Sequence, residues 1–476
     1  MVNRRNFIKS TGLAGGVIMA AGAGTFAESL SGFAFESRRP PVSDRKFVSE
    51  AVESTIRDIR ASIKDPEMGW LFGNCFPNTL DTTVTYREVG GKPDTFVITG
   101  DIHAMWLRDS SAQVWPYLPL AVKDAKLKKL LAGVIRRQNM CILIDPYANA
   151  FNDGPADSPW KNDLTDMKPE LHERKWEVDS LCYPIRLAHG YWKATGDDSV
   201  FDSDWESAMG LVIQTFREQQ RKNSRGPYKF QRVTGWQTDT VAGGGYGNPI
   251  QPVGMICSIF RPSDDATIYP FLIPSNLFAV TSLRQLADVF LTVKADTGMA
   301  KECNNLAAEV EEAIGTYAVS EHLNFGKMYA FEVDGYGNRL FMDDANVPSL
   351  LSIPYLTGID PANEVYRNTR NFLISPSNPY YYRGKAAEGQ GGPHSGVDMI
   401  WPLGITMRAL TSKDPEEISF CLRTLKATHA GTGFMHESFH KDDASKYTRK
   451  WFAWANTLFG ELILKVHAER PDLLIN

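Results

Sequence analysis

Blocks of five or more like charges, the usual mark of a charged interaction tail, are absent from this 476-residue chain, and acids outnumber bases for a formal net charge of −5. Nucleic-acid binding needs lysine and arginine clustered against phosphates, so nucleic acid is excluded as a partner. Cysteine is scarce. The six residues (Cys75, Cys141, Cys182, Cys257, Cys303 and Cys421) form no Cys-x-x-Cys pair, which excludes zinc ribbons and thioredoxin-like redox sites. Their even number permits disulfides without requiring them, and Cys421 falls in an apolar helical pattern that predicts a buried thiol. Neither glycine-rich stretch, 243–247 or 389–392, carries the Gly-x-Gly-x-x-Gly turn or a Gly-Lys-Ser/Thr ending, so no phosphate loop and no cofactor are expected. Unbroken apolar runs of about 20 residues, the length of a membrane span, are also missing.

What is present is the profile of a folded protein: 43% hydrophobic, 11% aromatic and 22% charged residues. Eleven Trp and 17 Tyr supply flat faces that suit sugar rings, although most aromatics serve cores. Residues 1–27 read as an export signal of the twin-arginine type. Arg4, Arg5 and Lys9 precede a Gly- and Ala-rich apolar stretch from Thr11 to Ala23, with cleavage sites after Ala23 or Ala27. A retained amphipathic anchor fits less well, because the segment has no strongly charged face. The expected organisation is therefore a signal at 1–27, a linker at 28–45 and a single catalytic domain at 46–476. The expected location is the periplasm or another exported compartment of a bacterium, with no membrane attachment after signal removal.

Periodicity of three and four dominates the body. Asp414-Pro415-Glu416-Glu417 supplies an N-cap, a first-turn proline and a glutamate three residues on, followed by the apolar face Ile418, Cys421, Leu422 and Leu425. Asp360-Pro361 predicts a second start, and Leu277, Val280, Leu283, Ala287 and Phe290 mark another stripe. Two hairpins are predicted, Thr83–Tyr86 with Phe96–Thr99 and Met328–Val333 with Arg339–Met342. Six charged, aromatic stretches each run into a helical pattern: 100–110, 176–180, 261–265, 343–348, 394–401 and 436–456. Each interval holds about two helices. The fold class is therefore all-α, an (α/α)6 barrel or toroid with small β-hairpin insertions, whose six motifs meet at one pit. A solenoid would spread them along a ridge, but the stretches share no repeat sequence.

His436-Glu437-Ser438-Phe439-His440 matches the zinc-protease pattern His-Glu-x-x-His. Gly431 and Gly433 before it, and Asp442 and Asp443 after it, place it in a loop, where two His do not share a helical face. Glu461 stands near where a third ligand falls, but within Leu-Phe-Gly-Glu-Leu-Ile. No metal is expected. Carboxylates from separate motifs suit glycoside hydrolysis instead, which takes one protonated acid and one carboxylate base or nucleophile. Asp264, Asp265 and Glu437 are the candidates. Arg261, three residues before Asp264, is expected to hold a nearby carboxylate ionised while the adjacent acid keeps a raised pKa. Asp101, His103, Trp106, Arg108 and Asp109 form a candidate sugar-binding set, extended by Arg261, Asp343, Asp344, Asn346, His436, Arg449 and Trp454 from the other motifs. Two alternatives remain open at this point: another toroid glycosidase of glucoamylase or trehalase type, and a non-catalytic glycan-binding protein, which needs no acids in separate motifs.

The stretches Gly-Asp-Ile-His-Ala-Met-Trp-Leu-Arg-Asp-Ser (100–110), Trp-Glu-Val-Asp-Ser-Leu-Cys-Tyr-Pro (176–184), Phe-Arg-Pro-Ser-Asp-Asp-Ala (260–266), Ile-Pro-Ser-Asn (273–276), Asp-Asp-Ala-Asn-Val-Pro-Ser-Leu-Leu (343–351) and His-Glu-Ser-Phe followed by Thr-Arg-Lys-Trp-Phe-Ala-Trp-Ala-Asn (448–456) resemble the motifs of glycoside hydrolase family 125. The resemblance covers nearly all of the chain after the signal. It implies a metal-independent exo-α-1,6-mannosidase with an (α/α)6 barrel and a pit that takes one terminal mannose of a mannan or N-glycan fragment with inversion. It also implies that the general acid lies in the Asp264–Asp265 pair, with Asp264 favoured, and that the general base is Glu437. His440 departs from the family pattern and is expected to be incidental.

Overall fold

Six helices of the chain pack against one another in series at its centre. The computed structural model describes residues 35–475. The expected signal at 1–27 and the start of the expected linker lie outside the described residues. From Arg38 onward the chain forms one compact unit, and it is tied down early. Arg39 donates to Asp81 from Nε at 2.7 Å and to Glu53 from Nη1 at 3.0 Å.

The principal helices are α1 (Glu50–Ser62), α2 (Pro66–Cys75), α3 (Leu107–Val114), α4 (Ala125–Ile144), α5 (Val178–Thr195), α6 (Ser203–Gln219), α7 (Ile273–Thr292), α8 (Thr297–Tyr317), α9 (Ile353–Thr357), α10 (Glu364–Leu373), α11 (Pro402–Leu410), α12 (Pro415–Ala427) and α13 (Ala453–Glu469). The inner series runs α11, α13, α3, α5, α7, α9, each packed on the next. Each inner helix but α13 is followed directly by an outer one. At the sixth position the N-terminal α2 packs on α13, and α1 packs on α2 in turn. Helix α7 shows the inner pattern at its site end, where every residue from Ile273 to Val280 is buried, and Leu283, Leu286, Ala287 and Phe290 continue the buried face toward its other end.

Capping separates the two layers. Each of the seven principal helices outside the inner series has a side-chain cap: Ser49, Asp65, Asp124, Asp202, Asp296, Asn363 and Asp414 accept main-chain N–H groups of the first turns. The six inner helices lack one. Four of them receive partners from distant chain instead. Leu107 N donates to Asn149 O, Ile273 N to Phe331 O and Ala453 N to Thr99 O, at 3.1, 2.9 and 3.0 Å, and Val178 N donates to Ser258 Oγ at 3.1 Å.

Three local expectations change. The helix expected at Asp360-Pro361 starts at Glu364, because Asn363 caps it while Asp360 turns the chain by accepting from Ala362 N at 2.9 Å. The strand expected over Met328–Val333 is two pieces broken at Ala330–Phe331. Gly326–Tyr329 pairs with Val319–His322, and Glu332–Val333 sits between Arg339–Leu340 and Phe271–Leu272. The motif 261–265 reaches its helix only after the strand Phe271–Leu272. The first hairpin forms as Val84–Val89 with Lys92–Val97, turning at Gly90 and Gly91 in the left-handed region. All six cysteines are free and buried. Among the described residues, no helix is long and apolar enough to cross a membrane.

Candidate active site

The starts of α3, α5, α7 and α13 converge, and loops between them are pinned to the helices by their own main chain. Gly100 adopts φ 129°, and a Cβ there would lie 2.3 Å from Trp451 O. Only glycine allows the 100–101 segment to press against Trp451 and Phe452, which brings Asp101 to Arg449. The 257–260 segment is fixed on the start of α5: Trp176 Nε1 donates to Cys257 O at 2.7 Å and Phe260 N to Trp176 O at 3.0 Å. That places the turn 261–265 beside Glu177.

A row of alternating charge results. Arg449 Nε donates to Asp101 Oδ1 at 2.8 Å, and its Nη1 lies 3.6 Å from Glu437 Oε1, whose other oxygen accepts from Thr448 Oγ1 at 2.9 Å. Arg108 faces four carboxylates: Glu177 at 2.5 Å, Asp179 at 3.1 Å, Asp109 at 3.5 Å and Asp264 at 3.9 Å. Burial drives Asp109 up to about 6, against the attraction of Arg108 and Arg449. It pushes Glu177 well above the carboxylate range, with the charges of Asp179 and Asp264 adding to the shift. One guanidinium cannot neutralise four carboxylates, so protons are retained in this cluster. Asp101, Asp264 and Arg449 stay partly open and Glu437 keeps a small exposed edge, while Arg108, Asp109, Glu177 and Asp179 are buried beneath them.

The Asp264–Asp265 pair is divided by its turn. Asp264 sits at φ 69°, a left-handed conformation that costs a non-glycine residue about 1–3 kcal/mol. Its N–H donates to Arg261 O at 2.9 Å, and Arg261 N donates to Asp265 O at 2.8 Å. The Asp264 carboxyl accepts from Asn149 Nδ2 at 3.3 Å. Asp265 points the other way, into the protein, accepting from Thr238 Oγ1 at 2.7 Å and Ser263 Oγ at 3.1 Å, with His394 Nδ1 at 3.7 Å. Burial alone would raise it, but His394, Thr238 and Arg261 outweigh that and hold it at about 2. Asp265 is built as a permanent anion.

The remaining expected residues divide. Trp106 packs with Ala104, Ala150 and Ile102 apart from the main core, its ring 5.3 Å edge-on from His172; His103 is exposed. Arg261 is spent on Glu332, Nε to Oε1 at 2.6 Å. Asp343 is fully buried and accepts from Leu350 N, Leu351 N and Gln390 Nε2 at 2.8, 3.1 and 2.9 Å, so it braces the approach to α9 instead of facing a ligand. Asp344 accepts from Asn346 N and Nδ2, both at 3.0 Å. Trp454 is buried edge-on against Tyr183 and Phe452. His436 stacks on Tyr447 at 3.7 Å, and burial lowers it to about 4, so it is neutral. His440 lies on the strand Ser438–His440, so the His-Glu-x-x-His motif is not helical.

Sequence reasoning passed over Glu177, Asp179, Thr448, Asn149 and Lys175. Glu177 and Asp179 stand within a quoted motif, where the same argument from acids at helix starts applies. Asn149 and Lys175 carry no local signal.

A family model described as metal-independent alpha-mannosidase (GH125) matches residues 65–464. The meiotically up-regulated gene 157 protein of Schizosaccharomyces pombe is 41% identical over 456 residues, covering 92% of this chain and 89% of that protein. A metal-independent alpha mannosidase of Streptococcus pneumoniae, solved in a non-productive complex with alpha-1,6-mannobiose, is 43% identical with a TM-score of 0.86, over 89% of this chain and 100% of that one. A bacterial glucoamylase complexed with acarbose shares the fold, at 10% identity and a TM-score of 0.51, over 90% of this chain and 58% of that one. The fission yeast relative corrects the expected location. A eukaryote carries a protein of this kind, so a bacterial periplasm does not follow from the sequence, and the segment on which it rested lies outside the described residues. With the (α/α)6 architecture, the convergent carboxylates and these matches together, the chain belongs to glycoside hydrolase family 125, the metal-independent alpha-mannosidases.

Proposed function

We propose that the chain releases single non-reducing terminal mannose units from α-1,6-linked mannosides, such as mannan or N-glycan fragments, with Asp264 as general acid, Glu437 as general base and inversion at the anomeric carbon. The observation that carries this reading is the placement of two carboxylates, Asp264 partly open and Glu437 nearly buried, at opposite ends of the Arg108–Asp109–Arg449 row. The 43% identical enzyme with alpha-1,6-mannobiose supports the linkage.

In this reading Asp264 gives its proton to the glycosidic oxygen as the bond to the anomeric carbon breaks. Glu437, fixed by Thr448 and Arg449, takes a proton from the water that attacks from the other side. The two carboxyls exchange roles as donor and acceptor, and solvent resets them. Inverting pairs stand about 6.5–9.5 Å apart, leaving room for that water. Asp109 and the buried cluster around Arg108 offset the positive charge that develops on the sugar.

The test is proton NMR of the first-formed sugar with α-1,6-mannobiose, alongside Glu437→Gln and Asp264→Asn. β-Mannose and turnover losses of roughly 10²–10⁴ with sugar binding retained are expected. α-Mannose would make one carboxylate a nucleophile and overturn inversion, and longer products released early from an end-labelled oligosaccharide would overturn exo action.

A further inference from the structure

We propose that Lys175 is a positioning residue for the general acid, holding the main chain of Asp264 in the left-handed turn that presents its carboxyl to the leaving group. The inference rests on the assignment of Asp264 as the acid. Lys175 has no solvent exposure, so it cannot touch substrate. Its Nζ donates to the Asp264 carbonyl oxygen at 2.8 Å and to Asp239 Oδ1 at 2.7 Å, with Glu173 Oε1 at 3.5 Å and the Phe260 ring centroid at 5.0 Å. Arg232 braces those carboxylates from behind, Nη1 to Asp239 Oδ1 at 2.9 Å and Nη2 to Glu173 Oε1 at 2.9 Å.

Asn149 ties the same turn to the chain around Lys175. Lys175 N donates to Asn149 Oδ1 at 3.0 Å, and Asn149 Nδ2 reaches both Glu173 Oε2 and Asp264 Oδ1 at 3.3 Å. The Lys175 side chain therefore grips the Asp264 carbonyl, while its main-chain N–H, which substitution leaves in place, orients Asn149 toward the Asp264 carboxyl. Burying an ammonium is expensive unless it is fully paired, and a lysine placed only to fill space has no reason to spend a hydrogen bond on this one carbonyl. Without the grip, the turn is free to relax to ordinary negative φ, which swings the carboxyl away from the glycosidic oxygen while leaving the rest of the pit in place.

Leaving-group dependence separates this role from a merely structural one. Lys175→Met is compared with wild type on α-1,6-mannobiose, whose departing sugar needs a proton, and on 2,4-dinitrophenyl α-mannoside, whose leaving group needs none. Expected is a kcat loss of about 10²-fold on the disaccharide, within the range general acids contribute, against less than about fivefold on the activated substrate, with KM for the disaccharide little changed. Lys175→Arg keeps a charge opposite Asp239 and Glu173 but places its donors differently, so it gives the same skew and carries the test if the methionine variant does not fold. Equal losses on both substrates in a folded variant overturn the proposal. Asp264→Asn run in parallel isolates the underlying assignment: no skew there sinks Asp264 as the acid, whereas a skew there without one at position 175 sinks only the role of Lys175.

Discussion

Arg449 stands beside Glu437, its Nη1 3.6 Å from Glu437 Oε1, and is itself held by Asp101 through Nε at 2.8 Å. Its backbone lies in the left-handed region at φ 44°, as at Asp264, so both ends of the charged row sit on conformations that the surrounding structure must enforce. A planar fork is needed to serve two carboxylates at once.

Arg449→Lys keeps the charge but offers a compact point donor, which cannot hold both partners. We expect kcat/KM on α-1,6-mannobiose to fall about 10- to 100-fold, with the melting temperature little changed. Asp101→Asn is expected to share the loss, and the double variant to be far less damaged than the product of the two, because both act through one contact.

Asp265→Asn tests the permanent anion. The folded carboxyl sits at about 2, below its ordinary 3.8, so its contribution to stability is fully present above about pH 4 and is lost as pH falls toward 2. At pH 7 the variant should be less stable by roughly 2 kcal/mol, read from urea midpoints. The gap to wild type should narrow between pH 4 and pH 2, and a constant gap would show that packing, not charge, is lost.

Asp109 carries the opposite sign. Its folded carboxyl is raised to about 6, so ionising it costs stability that is intact below about pH 4 and lost by about pH 6. Asp109→Asn is expected to match wild type in thermal stability at pH 4, to exceed it by roughly 2–3 kcal/mol at pH 7, and to be nearly inactive there. A variant that gains nothing at pH 7 would show that the charge is better paired than the cluster around Arg108 implies.

The His-Glu-x-x-His match is tested by chelation. His436 is stacked and neutral, and His440 lies on a strand with Nδ1 accepting from Asp442 N at 3.2 Å. Activity on α-1,6-mannobiose should survive exhaustive treatment with 1,10-phenanthroline, and His440→Ala should stay within about twofold of wild type. Loss on chelation with recovery on adding zinc would reinstate a metal centre.

Legibility followed the range of the interactions. Helix α12 was readable because its cap, first-turn proline and apolar face all lie within Asp414–Leu425. The toroid followed from motifs at helix starts, and Asp264, Glu437, Arg108 and Arg449 came with them. Asn149 and Lys175 were invisible because their meaning lies in Asp264, far along the chain. Asp343 misled for the same reason: an acid in a motif looks alike whether it faces a sugar or accepts from Leu350 N and Leu351 N. Asp264 and Asp265 differ only in the direction that one left-handed residue sends them.

The division of capping between the layers bears on the order in which the molecule assembles. Outer helices carry their own start signals and can gain helix while the chain is still open. The site ends of α3, α5, α7 and α13 wait for Asn149, Ser258, Phe331 and Thr99 to arrive from elsewhere, and contacts of long sequence separation are the slow ones to close. During refolding, helical circular dichroism should therefore recover before catalysis does, and hydrolysis of mannoside becomes a reporter of the last step of assembly.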